Sequence, residues 1–332
     1  MDALTYLVTG GAGFIGSHLT DALLDRGHTV VVLDDLSTGD RANLDRAWPQ
    51  RGLRFVRGSV LDDRLVEELT GRCDVVVHLA ATVGARLAAR PLDSFTANVR
   101  GTETVVAAAL RHRRRLLLAS TSEIYGKNGA GPLAETDDRI LGQTTVARWS
   151  HSTAKAVDEI LALGHHREHG LPVTVARLFN TAGPRQAPGC GAVVPTFAAQ
   201  ALAGQPLTVH GDGTQRRCLA HVDDVTDALL RLLDHPGAVG EVVNVGCGEP
   251  TAVADLAGLV VERAGSPSPL RFVPYDTGAP GDEDPHRVPD TSKLRALTGW
   301  QPRRTLDDIV DDALADAAAR RPTAPLTAAA RG

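Results

Sequence analysis

Through the first half of the chain, short β-branched and aliphatic runs alternate with stretches whose apolar positions recur every three or four residues. That alternation predicts a parallel sheet with helices on both faces. Thr5–Thr9 reads as the first strand and Phe14–Arg26 as its helix. Thr29–Asp34, Leu53–Arg57, Val75–Leu79, Leu116–Ser120 and Val173–Leu178 read as further strands. Runs so continuously apolar belong to strands covered on both sides. Beyond Asn180, Gly and Pro become frequent from Ala182 to Gly191, which reads as a change of domain. Val242–Val245 reads as one more sheet strand. Residues 1–180, with a returning segment near 221–250, are thus expected to form a doubly wound α/β domain. Residues 181–320 are expected mainly to form a smaller α/β domain, and 321–332, rich in Ala, Pro and Thr, a frayed tail.

Composition narrows the class. With 332 residues and 43% hydrophobic content the chain can bury one large core or two packed ones. A net charge of -5 implies neither nucleic acid nor an anionic membrane as partner. The longest apolar runs are strand-sized, too short to span a bilayer. The first residues lead into a strand with no basic-then-apolar signal segment. Cys73, Cys190, Cys218 and Cys247 are spread too widely for a zinc site or a disulfide framework. A reducing cytoplasm and no metal are the expectations. Lysine is scarce, occurring at Lys127, Lys155 and Lys293, so each position carries weight.

The first chemical signal is Gly10-Gly11-Ala12-Gly13-Phe14-Ile15-Gly16, placed between a strand and a helix. Gly10 permits a tight turn, Gly13 lets backbone approach a pyrophosphate, and Gly16 lets helix pack closely on strand. The N–H groups around Phe14 and Ile15 then offer an anion site at the helix N-terminus. This is the pattern of a Rossmann-type dinucleotide site. Asp34, closing the second strand, can accept from the adenosine ribose 2′-hydroxyl and repel a 2′-phosphate, which favours NAD over NADP. It can equally cap the following turn. Asp62 is open between an adenine contact and a helix cap, and His78, on an apolar strand, reads as structural.

Further motifs follow in order: His78-Leu79-Ala80-Ala81, Asn98, Ser120-Thr121-Ser122-Glu123-Ile124-Tyr125-Gly126, His151-x-x-x-Lys155, Arg177 to Arg185, Gly211 to Arg217 and His221-Val222-Asp223-Asp224. Together they resemble the extended short-chain dehydrogenase/reductase family, specifically its sugar-nucleotide epimerases, dehydratases and decarboxylases. The resemblance runs from Leu7 to about Leu306. Thr121-Ser122-Glu123-x-Tyr125-Gly126 looks like both the UDP-glucuronate decarboxylases and the GDP-mannose 4,6-dehydratases, while Arg148-Trp149-Ser150, Arg177-x-Phe179-Asn180 and His286-Arg287-Val288-Pro289 are more similar to the decarboxylases. The resemblance implies tightly held NAD recycled within each turnover, a UDP-sugar substrate and a homodimer. Pairing would use helices near Gly101–Arg111 and Thr153–His166; the latter's apolar face of Ala156, Ile160 and Leu163 could equally be ordinary core packing.

It also implies site roles. Thr121 would hold the sugar 4-hydroxyl and the later ketone oxygen. Lys155 would hold the nicotinamide ribose and share a helical face with residue 151. Glu123 would position a water or shuttle a proton at C5. Ser122, Asn180 and Arg287 would contact sugar or diphosphate, and Asn98 would brace the site near Lys155. Loss of CO2 from a uronate oxidised at C4 is favoured because the carboxylate is then β to a ketone, and donors can stabilise the enolate. A 4,6-dehydratase or 4-epimerase is the alternative enzyme. From its own chemistry, the Arg217 guanidinium can grip a phosphate. Arg86 reads as a surface arginine with a substrate carboxylate as the other option.

His151 departs from the resemblance, which carries tyrosine there. Neutral imidazole is a competent base near pH 7, yet it is shorter than phenol, and Lys155 opposes the imidazolium it would become. An altered redox step, a catalytically silent sugar-nucleotide or NAD-binding protein, and an introduced substitution are the other readings.

Overall fold

The structure, a computed structural model, describes residues 3–83, 90–129, 131–146, 149–188, 192–274 and 287–320. Arg86, Arg148, Cys190, His286 and the segment 321–332 lie outside the described residues.

Strands β1 (Thr5–Thr9), β2 (Thr29–Asp34), β3 (Leu53–Arg57), β4 (Val75–His78), β5 (Arg115–Thr121) and β6 (Val173–Leu178) form a parallel sheet. After β6 come the short strands β7 (Thr181–Ala182), β8 (Leu207–His210), β9 (Arg216–Cys218) and β10 (Ala220–His221), and then β11 (Val242–Val245). β11 returns to pair with β6, so the seven-stranded order is β11-β6-β5-β4-β1-β2-β3. Alternate residues of each strand enter opposite cores. Tyr6, Val8, Val30, Val32 and Leu117 join one cluster, while Leu7, Val31, Leu33, Leu116 and Leu118 join the other. Successive side chains of a strand point to opposite faces, so a strand buried on both must be apolar throughout.

The first face is covered by α1 (Phe14–Asp25), through Leu19 and Leu23, and by α6 (Val222–Asp234), through Val225 and Leu229. The second is covered by α2 (Asp63–Gly71), α3 (Pro91–Arg111) and α4 (Trp149–His169), through Val66, Val105 and Ala162. A separate cluster joins α5 (Val193–Leu202), α7 (Val253–Arg263) and α9 (Leu306–Ala319) around Phe197, Val209, Leu256 and Ile309. Strands β12 (Pro250–Ala252) and β13 (Leu270–Val273) pair with β9 and β8, and α8 (Ser292–Thr298) packs Leu294 against the first face.

No helix among the described residues is long and apolar enough to cross a membrane. Along α4, Ala156 is buried with Tyr125 and Phe179, Leu163 packs on the second core, and Ile160 is 64% exposed. Their i, i+4, i+7 spacing places them on one stripe of the helix, but spacing does not decide what covers each residue.

Candidate active site

The chain runs outward from β1 through β2 to β3, and outward again from β4 through β5 to β6 on the opposite side. Where the order reverses, between β1 and β4, neighbouring loops diverge and leave a crevice at the carboxyl ends of the strands. A cleft of about 980 Å³ lies here. Gly10 after β1, Asp34 closing β2, Gly58 after β3, Leu79 after β4, Thr121 closing β5 and Leu178 closing β6 all line it.

One wall is backbone. Gly10 has φ +72, and a Cβ there would sit 2.8 Å from the Ala80 nitrogen. At Gly16 a Cβ would overlap the Gly10 carbonyl oxygen. Gly13 begins α1 without a side-chain cap and with no acidic residue in the first turn. The first helical N–H groups, at Phe14, Ile15 and Gly16, therefore have no acceptor within the helix and lie along the cleft. That is an uncapped, uncharged helix end suited to a diphosphate. Asn43 donates to the Ala12 carbonyl at 2.9 Å and fixes the loop from outside. Asp34 accepts from Ala12 N–H at 2.9 Å and from Leu36 N–H at 2.8 Å. Burial raises its pKa, and these two backbone donors pull it back. Asp34 therefore caps the next turn while lining the cleft. The residues present fit a dinucleotide.

The other wall is side chains on β5 and α4. Thr121 caps a 3-10 turn, Ser122–Tyr125, by accepting from Glu123 N–H at 3.2 Å. Thr121, Ser122, Glu123, His151 and Lys155 line the cleft together. His151 and Lys155 are one helical turn apart and both buried. His151 Nδ1 is buried with no hydrogen-bond partner among the described residues. Burial lowers the His151 pKa, Glu123 pushes it up, and Lys155 pushes it down again, so the ring is neutral at neutral pH. Lys155 Nζ lies 3.2 Å from Asp158 Oδ2.

Behind this wall the supports are buried. His78 bridges the hydroxyls of Thr9, at 2.7 Å, and Thr102, at 3.1 Å. Burial, then Lys155, holds its pKa down to about 3, so it is a neutral structural histidine. Tyr125 donates to Asn244 Oδ1 at 2.7 Å and accepts from Arg177 at 3.0 Å, which removes it as a substitute for a tyrosine at 151. Arg177 grips Glu159 with two bonds of 3.0 and 2.8 Å.

The remaining sequence candidates divide. Asn180 and Arg287 line the cleft. Asn98 clamps both backbone groups of Thr82, at 2.6 and 3.1 Å, and so fixes the loop after β4. Asp62 caps α2 by accepting from Leu65 N–H at 3.1 Å, and only its neighbours Gly58 to Leu61 line the cleft. Arg217 lies on β9, away from the lining, and donates to the Arg216 carbonyl at 2.9 Å. Sequence reasoning gave no role to Arg185, which lines the cleft and donates to the buried Asp21 at 2.7 Å. The two are 164 residues apart, and no local spacing signals their pairing.

Together the fold and cleft define a dinucleotide-binding α/β protein with a buried histidine and a lysine on one helix. The chain belongs to the NAD dependent epimerase/dehydratase family, which matches residues 6–246. It is 37% identical over 300 residues to the UDP-N-acetyl-alpha-D-glucosaminuronate decarboxylase of Bacillus cytotoxicus, covering 89% of this chain and 92% of that protein. It is 36% identical over 307 residues to UDP-glucuronic acid decarboxylase 2 of Arabidopsis thaliana, covering 91% of this chain but 66% of that longer protein. The UDP-glucuronic acid 4-epimerase of Bacillus cereus, solved with UDP-glucuronic acid and NAD, superposes with a TM-score of 0.86 at 27% identity, over 95% of this chain and 99% of that one.

Proposed function

We propose that this chain binds NAD and decarboxylates a UDP-linked uronic acid, with UDP-glucuronate as substrate. The observation that carries the reading is the meeting of Thr121, Glu123, His151, Lys155 and Arg287 with the glycine loop in one cleft. The decarboxylase relatives support it. Gly10, Gly13, Phe14, Ile15 and Gly16 would hold the diphosphate of NAD, Asp34 its adenosine ribose and Lys155 its nicotinamide ribose. When bound, NAD supplies an acceptor, and then a donor, of hydride.

The residues supply the rest. His151 takes the 4-hydroxyl proton onto a ring nitrogen. Thr121 orients that oxygen and stabilises the charge that develops on it as CO2 leaves. Arg287 offsets the substrate carboxylate beside Glu123, and Glu123 returns a proton at C5. Ser122 and Asn180 orient the sugar. A second reading, a 2-acetamido uronate, is favoured by the Bacillus cytotoxicus relative. Mass spectrometry and proton NMR of each UDP-uronate after incubation with NAD separate the cases. A 4-epimer or a dehydrated hexose in place of a pentose would contradict both.

We assign the homodimer to α3 and α4, where Leu92 is 76% and Ile160 64% exposed; a monomer in sedimentation would refute this. We divide the chain near residue 180, a reading supported by the separate cluster around Phe197 and Leu256. A reducing, cytoplasmic setting is supported by free Cys73 and Cys218, whose thiols burial pushes up to about 11 and about 12. Fractionation with periplasmic markers would contradict it.

A further inference from the structure

A tyrosine base and a histidine base need opposite electrostatics. A phenolate starts negative and becomes neutral when it takes a proton, so an adjacent ammonium stabilises its working form. Imidazole starts neutral and becomes positive, so the same ammonium opposes the proton it must accept. Position 151 holds imidazole while Lys155 remains one turn away. A His–Lys pair of this kind needs a compensating negative charge.

We propose that Asp158 is that charge: by cancelling the Lys155 ammonium, its carboxylate makes an imidazolium at position 151 tolerable and so lets His151 act as the base. This rests on the reading of His151 given above. In the step concerned the substrate O–H bond breaks and an N–H bond forms on imidazole. The electron pair left on oxygen becomes the carbonyl bond, and bound NAD would supply the acceptor for the hydride that leaves C4.

Asp158 is 1% exposed, three residues beyond Lys155 on α4, with Oδ2 3.2 Å from Nζ. Burial raises its pKa, and Lys155 and the Thr102 hydroxyl of α3 oppose that rise in favour of the carboxylate. Among the described groups packed around Lys155, Asp158 is the carboxylate in contact with its ammonium. His78, from β4, is neutral and contributes no charge. Glu159 is the next carboxylate along α4, but Arg177 of β6 grips both its oxygens. Glu123, on the turn after β5, faces His151 and favours its protonation. With Asp158 ionised, Lys155, Asp158 and Glu123 sum to one negative charge, which an imidazolium neutralises. Without it, the same proton transfer leaves one uncompensated positive charge in a buried site.

Asp158 is thus a positioning residue acting through Lys155, and a purely structural ion pair would behave differently. The first readout is the His151 titration, followed by carbon-13 NMR of histidine-labelled protein without cofactor or substrate and assigned through His151→Gln. Asp158→Asn is expected to lower the His151 pKa by about one unit, the scale of one nearby charge. Lys155→Gln/Asp158→Asn, which removes both charges, is expected to restore it. If Asp158→Asn alone does not fold, the difference between Lys155→Gln and the double variant reads the same charge, again as a drop of about one unit.

The second readout is turnover of UDP-glucuronate with NAD. Asp158→Asn should slow the native chain about tenfold, the equivalent of one pKa unit. In a His151→Tyr chain it should instead speed turnover, because the bare ammonium then favours phenolate. A His151 pKa unmoved by Asp158→Asn overturns the proposal, as does equal slowing in both backgrounds. If no uronate is turned over, a shifted titration upholds the charge pairing and refutes the substrate, while an unshifted one refutes the pairing whatever the substrate.

Discussion

The two walls of the cleft are built from different materials. The glycine-loop wall is backbone: a left-handed turn at Gly10, a close approach at Gly16 and an uncapped helix start at Gly13, with one carboxylate holding it in place. Its chemistry follows from the absence of side chains, and few sequences satisfy it. The α4 wall is made of side chains whose function depends on charge, and one changed letter, His151, alters the sign of what its neighbours must do. Backbone constraints therefore report the cofactor class, while side-chain charge decides whether the proton moves.

The largest effect should separate the walls. His151→Gln removes the proton acceptor and is expected to lower turnover about a thousandfold, within the range of general-base catalysis. Calorimetry on the same variant should show NAD affinity unchanged; a parallel loss of NAD binding would merge the two walls. Gly16→Ala is the converse. Its Cβ would overlap the Gly10 carbonyl, and displacement of the loop is expected to weaken NAD binding about a hundredfold, some two ordinary contacts' worth. Undiminished affinity there would show that the helix end is not the diphosphate site.

A smaller change is expected from Asp34→Ala. It removes the acceptor for Ala12 N–H and the proposed ribose contact together, and about tenfold weaker NAD binding is expected for one charged hydrogen bond. A variant that instead gains affinity for NADP at the expense of NAD would sharpen the ribose assignment.

The smallest effect is on stability against pH. Folded His78 takes its proton only at about 3, whereas an unfolded histidine takes it near pH 6.5. Between those values the unfolded chain holds the extra proton, so stability is full above about pH 6.5 and is lost as pH falls toward 3. The lowered His151 pKa acts in the same direction. Urea midpoints should fall between pH 7 and pH 5, less steeply in His78→Gln; an identical slope in that variant would remove His78 from the account.

Much of the sheet was legible because each strand is covered on both faces. Thr5–Thr9, Thr29–Asp34, Leu53–Arg57, Val173–Leu178 and Val242–Val245 match their sequence bounds. Helix ends were less legible. α1 stops at Asp25, one residue before the expected end, and α4 begins at Trp149 and runs to His169. The glycine loop and the Thr121, Glu123, His151 and Lys155 positions were legible because spacing within one element carries them. Contacts between elements were not. Arg185 meets Asp21 across the fold, Arg217 stands on an outlying strand, and Asp62 gives its oxygen to a helix end. Lys155–Asp158 lies between these cases: its spacing is visible in the sequence, but its significance depends on burial, which spacing does not report.

The most direct test of decarboxylation follows UDP-glucuronate labelled with carbon-13 at C6, incubated with the native chain and NAD, by NMR. The account predicts transfer of the label to bicarbonate and CO2, with a UDP-pentose or its 4-ketone left behind. A label that stays on the sugar, in the native chain and in His151→Tyr alike, would contradict it.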